Sequence, residues 1–170
     1  MRVIAIDPGT QCGWAYTDDN RVHVEQSGVW DLKPNKKAGS GERYLRFEGH
    51  LLDLMSVIDD GVECVVYYES VVRHKGTTAA HIYGGWKAII EKNCEEYDAA
   101  YFGVGVGEIK IRATGKGNAN KQAMIDAAKR EWVDGMVFTA EQVPHDISHD
   151  RADAMWILQC GLDELGLGEG

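Results

Sequence analysis

Two short apolar runs, each ended by an acid, constrain the fold of this 170-residue chain more than any other feature. Residues 2–7 are rich in Val and Ile and end at Asp7, where Asp-Pro-Gly-Thr signals a turn. Residues 62–69 are almost continuously apolar, which is typical of a strand buried on both faces, and they end at Glu69. An acid in that place is unusual, because carboxylates are seldom buried without a partner. The pattern predicts an α/β domain with two acids at strand ends.

The order of the predicted elements is βββαβαβα with a further C-terminal helix, when the two short helices at 108–113 and 120–133 are counted as one element. Strands are predicted at 2–7, 12–17, 21–30, 62–69 and 98–106, and helices at 41–59, 77–95 (capped by Thr77 or Thr78), 108–113, 120–133 and 148–165. This order favours an α/β fold with a five-stranded mixed sheet, in which a three-strand meander is followed by parallel strands and helices flank the sheet. If the fourth strand pairs parallel to the first, both lie at the sheet centre, just beyond which sites form. With no repeat or linker, we expect a single domain over residues 1–170.

Composition excludes several classes of protein. Hydrophobic residues make up 44% and charged residues 26%, as in ordinary globular proteins. The N-terminal apolar run is too short for a secretory signal, and no stretch approaches the ~18 apolar residues of a membrane span. We therefore expect a cytoplasmic protein of a bacterium or a phage-infected cell. The four cysteines are scattered without a C-x-x-C pair, which argues against a zinc site or a disulfide framework and favours buried thiols.

The net charge of −9 is unfavourable for a protein that binds nucleic acid, but the charge is unevenly distributed. Residues 71–130 carry ten Lys or Arg against six acids, whereas residues 131–170 carry one Arg against nine acids. The middle of the chain could meet a polyanion and the tail could not.

Two further acids, Asp150 and Asp153, are spaced i, i+3 and face the same side of the last predicted helix. If that side packs on the sheet, the two join Asp7 and Glu69. Four converging carboxylates repel one another unless cations intervene, and Mg²⁺ or Mn²⁺ suits such oxygen ligands. Two such ions can support in-line cleavage of a phosphodiester. Simpler interpretations stay open: Asp7 as a turn residue, Asp150 as a helix-start acid and Asp153 as a solvated partner of Arg151.

Three segments carry these acids in order along almost the whole chain. Residues 4–15 read IAIDPGTQCGWA, residues 68–71 read YESV and residues 150–154 read DRADA. In type and order they resemble the acid-bearing segments of the RuvC family of Holliday-junction resolvases, and residues 109–110 and 117–122 resemble its two lysine-bearing segments.

The resemblance implies an RNase H-like fold, a homodimer, two Mg²⁺ ions (or Mn²⁺) and symmetric nicks across a four-way DNA junction. By that resemblance, the catalytic and metal-binding residues are Asp7, Glu69, Asp150 and Asp153. Predicted DNA contacts are Arg73, Lys75, Lys110, Lys116 and Lys121, together with the loop at Lys36 and Lys37. His149 and Asp146 are possible auxiliary residues, since both share a helical stripe with the acids if the last helix begins early.

The chain also departs from the family pattern. The family has an aromatic residue just after the Glu, whereas Val71 and Val72 stand here, followed by Arg73, His74 and Lys75. These departures, with the acidic charge, suggest a divergent, phage-type member with relaxed specificity. A nuclease of flaps or forks, and a non-catalytic binder of DNA structures on the same fold, are the alternatives. The Asp-Pro-Gly-Thr turn also resembles the phosphate loop of actin-like and sugar-kinase ATPases, but those proteins need a second, duplicated domain.

Overall fold

The computed structural model describes residues 1–17, 24–56, 63–134 and 147–168, and it contains one five-stranded sheet. The strands are β1 (Arg2–Asp7), β2 (Gln11–Thr17), β3 (Val24–Asp31), β4 (Cys64–Ser70) and β5 (Ala100–Gly105). Their order across the sheet is β3-β2-β1-β4-β5. The β1–β2 and β2–β3 pairs are antiparallel, and the β1–β4 and β4–β5 pairs are parallel. The predicted mixed sheet, with the first and fourth strands adjacent at its centre, is confirmed.

Five α-helices flank the sheet in the described part of the chain. They are α1 (Glu42–Ser56), α2 (Thr77–Glu96), α3 (Val106–Thr114), α4 (Lys121–Ala128) and α5 (His149–Glu164). A π-helical segment, Lys129–Asp134, continues α4, so the predicted helix at 120–133 is α-helical only in its first half. The predicted cap of α2 is wrong: the helix begins after Gly76, without a side-chain cap, and Thr77 and Thr78 lie inside it.

The two faces of the sheet bury two separate cores, because successive residues of a strand point to opposite sides. In β1, Val3 and Ala5 face α5, α3 and α4, whereas Ile4 and Ile6 face α1 and α2. The first core is closed by α5, whose buried residues run from Ala152 to Leu162. Both faces are therefore covered, and the strand ends are left as the place where polar side chains can gather.

Each of the four cysteines is a free thiol; Cys12, Cys94 and Cys160 are buried and Cys64 is partly buried. Among the described residues, no helix combines the length and apolar character needed to cross a membrane.

Candidate active site

The register of the two central strands places Asp7 beside Glu69. Ile6 pairs with Tyr68 in the parallel β1–β4 ladder, so the next residue of each strand lies at the same edge of the sheet. Burial raises the pKa of the Glu69 carboxyl, and nearby Lys110 opposes this shift. Burial also raises the pKa of Asp7 well above its usual range, and the carboxylates of Glu69, Asp153 and Asp150 raise it further. The four predicted acids therefore lie within electrostatic reach of one another.

A close approach of α5 to β2 brings the two remaining acids to this edge. Asp7 pairs with Gly13 across the β1–β2 ladder, and a Cβ atom at Gly13 would lie 1.9 Å from the Asp150 carbonyl oxygen. Only a residue without a side chain allows the first turn of α5 to pass so close to the strand. The helix therefore presents Asp150 and Asp153 beside the end of β1.

The start of α5 is held by two further contacts. The Ser148 hydroxyl accepts a hydrogen bond from the Arg151 N–H at 3.3 Å, which caps the helix. The Arg151 guanidinium donates from Nε to the Ser27 hydroxyl of β3 at 2.9 Å. The Asp153 side chain is only 13% exposed. The interpretation of Asp153 as a solvated partner of Arg151 is therefore not supported.

Asp153 has the environment of a carboxylate that lacks its counter-charge. Burial and the neighbouring Glu69 and Asp150 raise its pKa to about 7. Its Oδ1 atom is buried and has no hydrogen-bond partner among the described residues. Its Oδ2 atom lies 3.1 Å from His149 Nε2, while His149 Nδ1 lies 3.9 Å from Asp150 Oδ1. Burial, reinforced by Lys121, lowers the pKa of His149, and the neighbouring Asp150 carboxylate opposes this shift.

The predicted basic residues divide into three groups. Lys110 and Lys121 lie close enough to the acids that Lys110 lowers the pKa of Glu69 and Asp153, and Lys121 lowers those of Asp7 and Asp153. Arg73 and Lys75 are exposed on the loop between β4 and α2. Lys116 instead lines a polar depression between α3 and α4, together with Arg130, and none of the four acids lines it.

Two predicted features fall elsewhere. Lys36 and Lys37 are exposed in the segment before α1. Asp146 lies outside the described residues, and α5 begins at His149.

The donor types at this edge fit a divalent cation, because all four acids offer the hard oxygen atoms that Mg²⁺ and Mn²⁺ prefer. An unpartnered buried oxygen of Asp153 and the raised pKa values of three carboxylates also indicate a missing positive charge. As the described side chains stand, no three His, Cys, Asp or Glu residues are arranged to hold one ion. The oxygen donors are of the kind that binds a divalent cation, but the described side chains do not lie close enough together for three of them to share one ion.

Two residues that shape this edge were not recognised from the sequence as site residues. Gly13 admits α5, and the Tyr83 hydroxyl of α2 donates to the Glu69 carbonyl oxygen at 2.8 Å. The signal for Gly13 was its position six residues after Asp7, opposite it in a hairpin register. Tyr83 gave no such signal, because a Tyr at helical spacing resembles an ordinary core residue.

No protein-family model matches the sequence. The chain is 22% identical over 160 residues to the crossover junction endodeoxyribonuclease RuvC of Chlamydia muridarum (strain MoPn / Nigg). The aligned region covers 93% of this chain and 89% of that relative. Its structure is similar to that of T. thermophilus RuvC in complex with Holliday junction substrate, with a TM-score of 0.70 and 18% identity over 98% of this chain and 97% of that one. A second Thermus thermophilus RuvC structure matches with a TM-score of 0.62 and 16% identity over 98% of both chains. The chain therefore has the RNase H-like fold of RuvC, and its predicted resemblance to the RuvC family is confirmed in sequence and in structure.

Proposed function

We propose that this protein is a structure-selective endonuclease that cuts branched DNA, with Holliday junctions as its main substrate, by metal-assisted hydrolysis of a phosphodiester. The observation that carries the proposal is the meeting of Asp7, Glu69, Asp150 and Asp153 at one edge of the sheet. Their desolvation is costly to the fold, as the raised pKa values of three of them indicate. A cost of this kind is characteristic of a functional site. Similarity to the crossover junction endodeoxyribonuclease RuvC supports this choice of reaction.

In this proposal, the four acids are the catalytic residues and hold two Mg²⁺ ions, for which Mn²⁺ can substitute. Such ions activate a water molecule and stabilise the leaving oxygen. The protein supplies the anionic oxygens and partly shields them from water, since the Asp153 side chain is 13% exposed and that of Asp150 is 36% exposed. His149 orients Asp153 through its contact with Oδ2, which leaves the buried Oδ1 of Asp153 for a ligand.

Lys110 and Lys121 have a separate task in this proposal. Each already offsets the charge of two of the acids. At a bound junction each would hold the scissile phosphate in place, because a compact ammonium group pairs well with a phosphate oxygen. These two lysines are therefore assigned to cleavage, whereas Lys116, Arg73 and Lys75 are assigned to binding.

Removing either site lysine should slow cleavage without releasing the DNA. For Lys110→Gln and Lys121→Gln we expect single-turnover rates to fall by on the order of 10²-fold, the effect of losing one charge-stabilising group. The junction Kd should change by less than about threefold, and Kd is measured by filter binding in EDTA.

Lys116→Gln is the matched control, since it removes the same charge from the polar depression between α3 and α4. It should weaken binding modestly and flatten its salt dependence, because one phosphate contact is lost. It should leave the rate of the bound complex unchanged. Equal rate losses in all three variants would contradict the division of tasks between the lysines.

The surface next to the acids favours a relaxed choice of DNA sequence. Val71 and Val72 stand where the family pattern has an aromatic residue; Val72 is 89% exposed, and neither valine offers a ring to stack on a base. Exposed Arg73 and Lys75 lie on the loop that follows β4 and suit phosphates, which carry no sequence information. A nuclease acting on flaps or forks as well as on junctions is therefore the second candidate.

One substrate panel tests the function and separates the candidates. Wild-type protein is incubated with a four-way junction, a 5′ flap, a fork and a linear duplex, in Mg²⁺ or in EDTA, and products are resolved on denaturing gels. We expect symmetric nicks in the junction that need the metal, weaker cleavage of flap and fork, and an intact duplex. Asp7→Asn should bind the junction as tightly as wild type and leave it uncut.

The outcomes of this panel are distinct. Equal cleavage of the linear duplex, or an active Asp7→Asn variant, would refute the resolvase proposal. Preferred cleavage of flap or fork would favour the second candidate. Tight junction binding by wild type without cleavage in Mg²⁺ or Mn²⁺ would indicate a non-catalytic binder.

The remaining assignments complete the proposal. We place the protein in the cytoplasm of a bacterium or phage-infected cell, as one RNase H-like domain over residues 1–170 that works as a homodimer. The apolar side chains of α2 are consistent with a dimer, because Trp86 and Ile90 are buried against the sheet whereas Ile82 and Ile89 stay partly exposed. Symmetric cuts in two strands need two such sites.

A further inference from the structure

The end of β4 that carries Glu69 keeps its ladder pairing on one side only. The β1–β4 register runs from Arg2–Cys64 to Ile6–Tyr68, so the ladder with β1 stops one residue before Glu69. On the other side, β5 continues to pair through Glu69–Val104 and Ser70–Gly105. A backbone paired on one side only has fewer hydrogen bonds to fix its direction, and that direction sets where its side chain points.

The Tyr83 hydroxyl bonds to the backbone at this point. It donates to the Glu69 carbonyl oxygen at 2.8 Å and accepts from the Val71 N–H at 3.2 Å. One hydroxyl thus bridges the residues on both sides of Ser70. The bridge fixes the direction of the chain where it leaves the sheet.

The ring of Tyr83 has contacts of its own. His74, from the loop that carries Arg73 and Lys75, packs on it with ring centroids 4.8 Å apart. Tyr83 also lines a cleft of ≈ 280 Å³ with Trp86, Val71 and the turn Pro8, Gly9 and Thr10 that follows Asp7. The same side chain therefore contacts the exit of β4 and borders the exit of β1.

We propose that Tyr83 is a positioning residue, whose hydroxyl holds the end of β4 so that Glu69 faces a divalent cation shared with Asp7. The proposal rests on the proposed function, since it assigns Tyr83 to the metal site of that nuclease. Tyr83 does not touch the metal or the DNA in this role.

The test is metal binding by Tyr83→Phe, which removes one oxygen and keeps the ring, its contact with His74 and the cleft. Mn²⁺ is titrated by calorimetry into the full-length protein, in whatever oligomeric state it adopts in solution. The titration is done with the free protein and with the protein bound to a junction that methylphosphonate linkages make uncleavable. We expect the Kd for Mn²⁺ to rise about fivefold, the factor for one neutral hydrogen bond. The Kd for the junction in EDTA should stay within twofold.

Cleavage gives a second readout that a merely structural role would not move. The rate of Tyr83→Phe should fall about fivefold at limiting Mn²⁺ and recover at saturating Mn²⁺. Tyr101→Phe is the matched control, because it removes a hydroxyl that donates to Glu95 at 2.9 Å near the start of β5, at the opposite end of the sheet. Its metal affinity should equal that of wild type.

An unchanged Mn²⁺ affinity in Tyr83→Phe, with a loss of thermal stability like that of Tyr101→Phe, would overturn the proposal. Failure of wild type to bind Mn²⁺ in either form would also overturn it, since Glu69 would then have no ion to face. Failure of the proposed function appears differently. In that case wild type binds Mn²⁺ and leaves every branched substrate uncut, while the affinity comparison between Tyr83→Phe and wild type still decides the role of Tyr83.

Discussion

Asp153→Asn is expected to abolish junction cleavage and, in the same protein, to raise the melting temperature measured without metal. The loss of cleavage should be on the order of 10³-fold or more, because an amide is a poor substitute for an anionic metal ligand. The gain in stability follows from burial. Asp153 is 13% exposed, and its pKa is raised to about 7 by burial and by the neighbouring Glu69 and Asp150. Keeping it ionised at pH 8 costs the fold on the order of 2–4 kcal/mol.

The pH dependence of this gain has a definite sign. The folded-state pKa of Asp153 is raised above its unfolded value of 3.8, so its contribution to stability is fully present below that value and is lost as pH rises through about 7. The Asn side chain does not titrate. The melting temperatures of wild type and Asp153→Asn should therefore converge below about pH 4 and differ by about 6–11 °C at pH 8, as measured by scanning calorimetry in EDTA.

Adding Mg²⁺ should reverse the order of stability, because an ion that binds only the folded protein stabilises wild type more than the variant. Asp163→Asn is a control on the same helix. Asp163 pairs with Arg112 and accepts from Gln159 Nε2 at 3.0 Å, so this variant should lose a little stability at pH 8 and keep its activity. A lower melting temperature for Asp153→Asn at pH 8 in EDTA would show that the acid cluster does not strain the fold.

The features of this site that could be predicted from the sequence are those that follow from the direction of the chain and from local spacing. An apolar run ended by an acid gives a strand with a carboxylate at its end, and the parallel pairing of two such strands brings Asp7 beside Glu69. The i, i+3 spacing gives Asp150 and Asp153 one helix face whatever the helix packs against. These relations are local or depend on one strand pairing, and the structure shows all of them.

The parts that sequence reasoning missed depend on the separation and angle of packed elements. Tyr83 lies 14 residues from Glu69 along the chain, and its hydroxyl reaches the β4 exit only because of how α2 lies across the sheet. The prediction of the α2 cap was also wrong. Thr77 and Thr78 are residue types that often cap helices, but the chain enters α2 one residue earlier, with Gly76 at the N-cap position. Lys116 and Lys121 are five residues apart, and only the turn before α4 decides which of them meets the acids.

Gly13→Ala is expected to disable the protein although residue 13 has no functional group. The added Cβ would lie 1.9 Å from the Asp150 carbonyl oxygen and 3.1 Å from the Ala154 Cβ. Neither atom can rotate away, because one is backbone and the other is the first atom of its side chain. The start of α5 must therefore move outward, and Asp150 and Asp153 move with it.

We expect cleavage by Gly13→Ala to fall on the order of 10²-fold, since a displacement of about 1 Å at a reacting centre has this effect. Overpacking should also cost the fold about 1–3 kcal/mol, which appears as a lower melting temperature. The loss of stability and the loss of rate can be measured separately. If the temperature is lowered until Gly13→Ala is fully folded, the cleavage rate should stay low, because the site is altered in the folded state itself.

Gly49→Ala is the matched control for this substitution. Gly49 lies inside α1, and a Cβ there would meet no atom within 4 Å. Alanine is the better helix former, so Gly49→Ala should gain about 0.5–1 kcal/mol of stability and keep the wild-type rate. If Gly13→Ala cleaved junctions within threefold of wild type, α5 would not need its close approach to β2. The carboxylates of Asp150 and Asp153 would then tolerate a looser placement than a shared metal site allows.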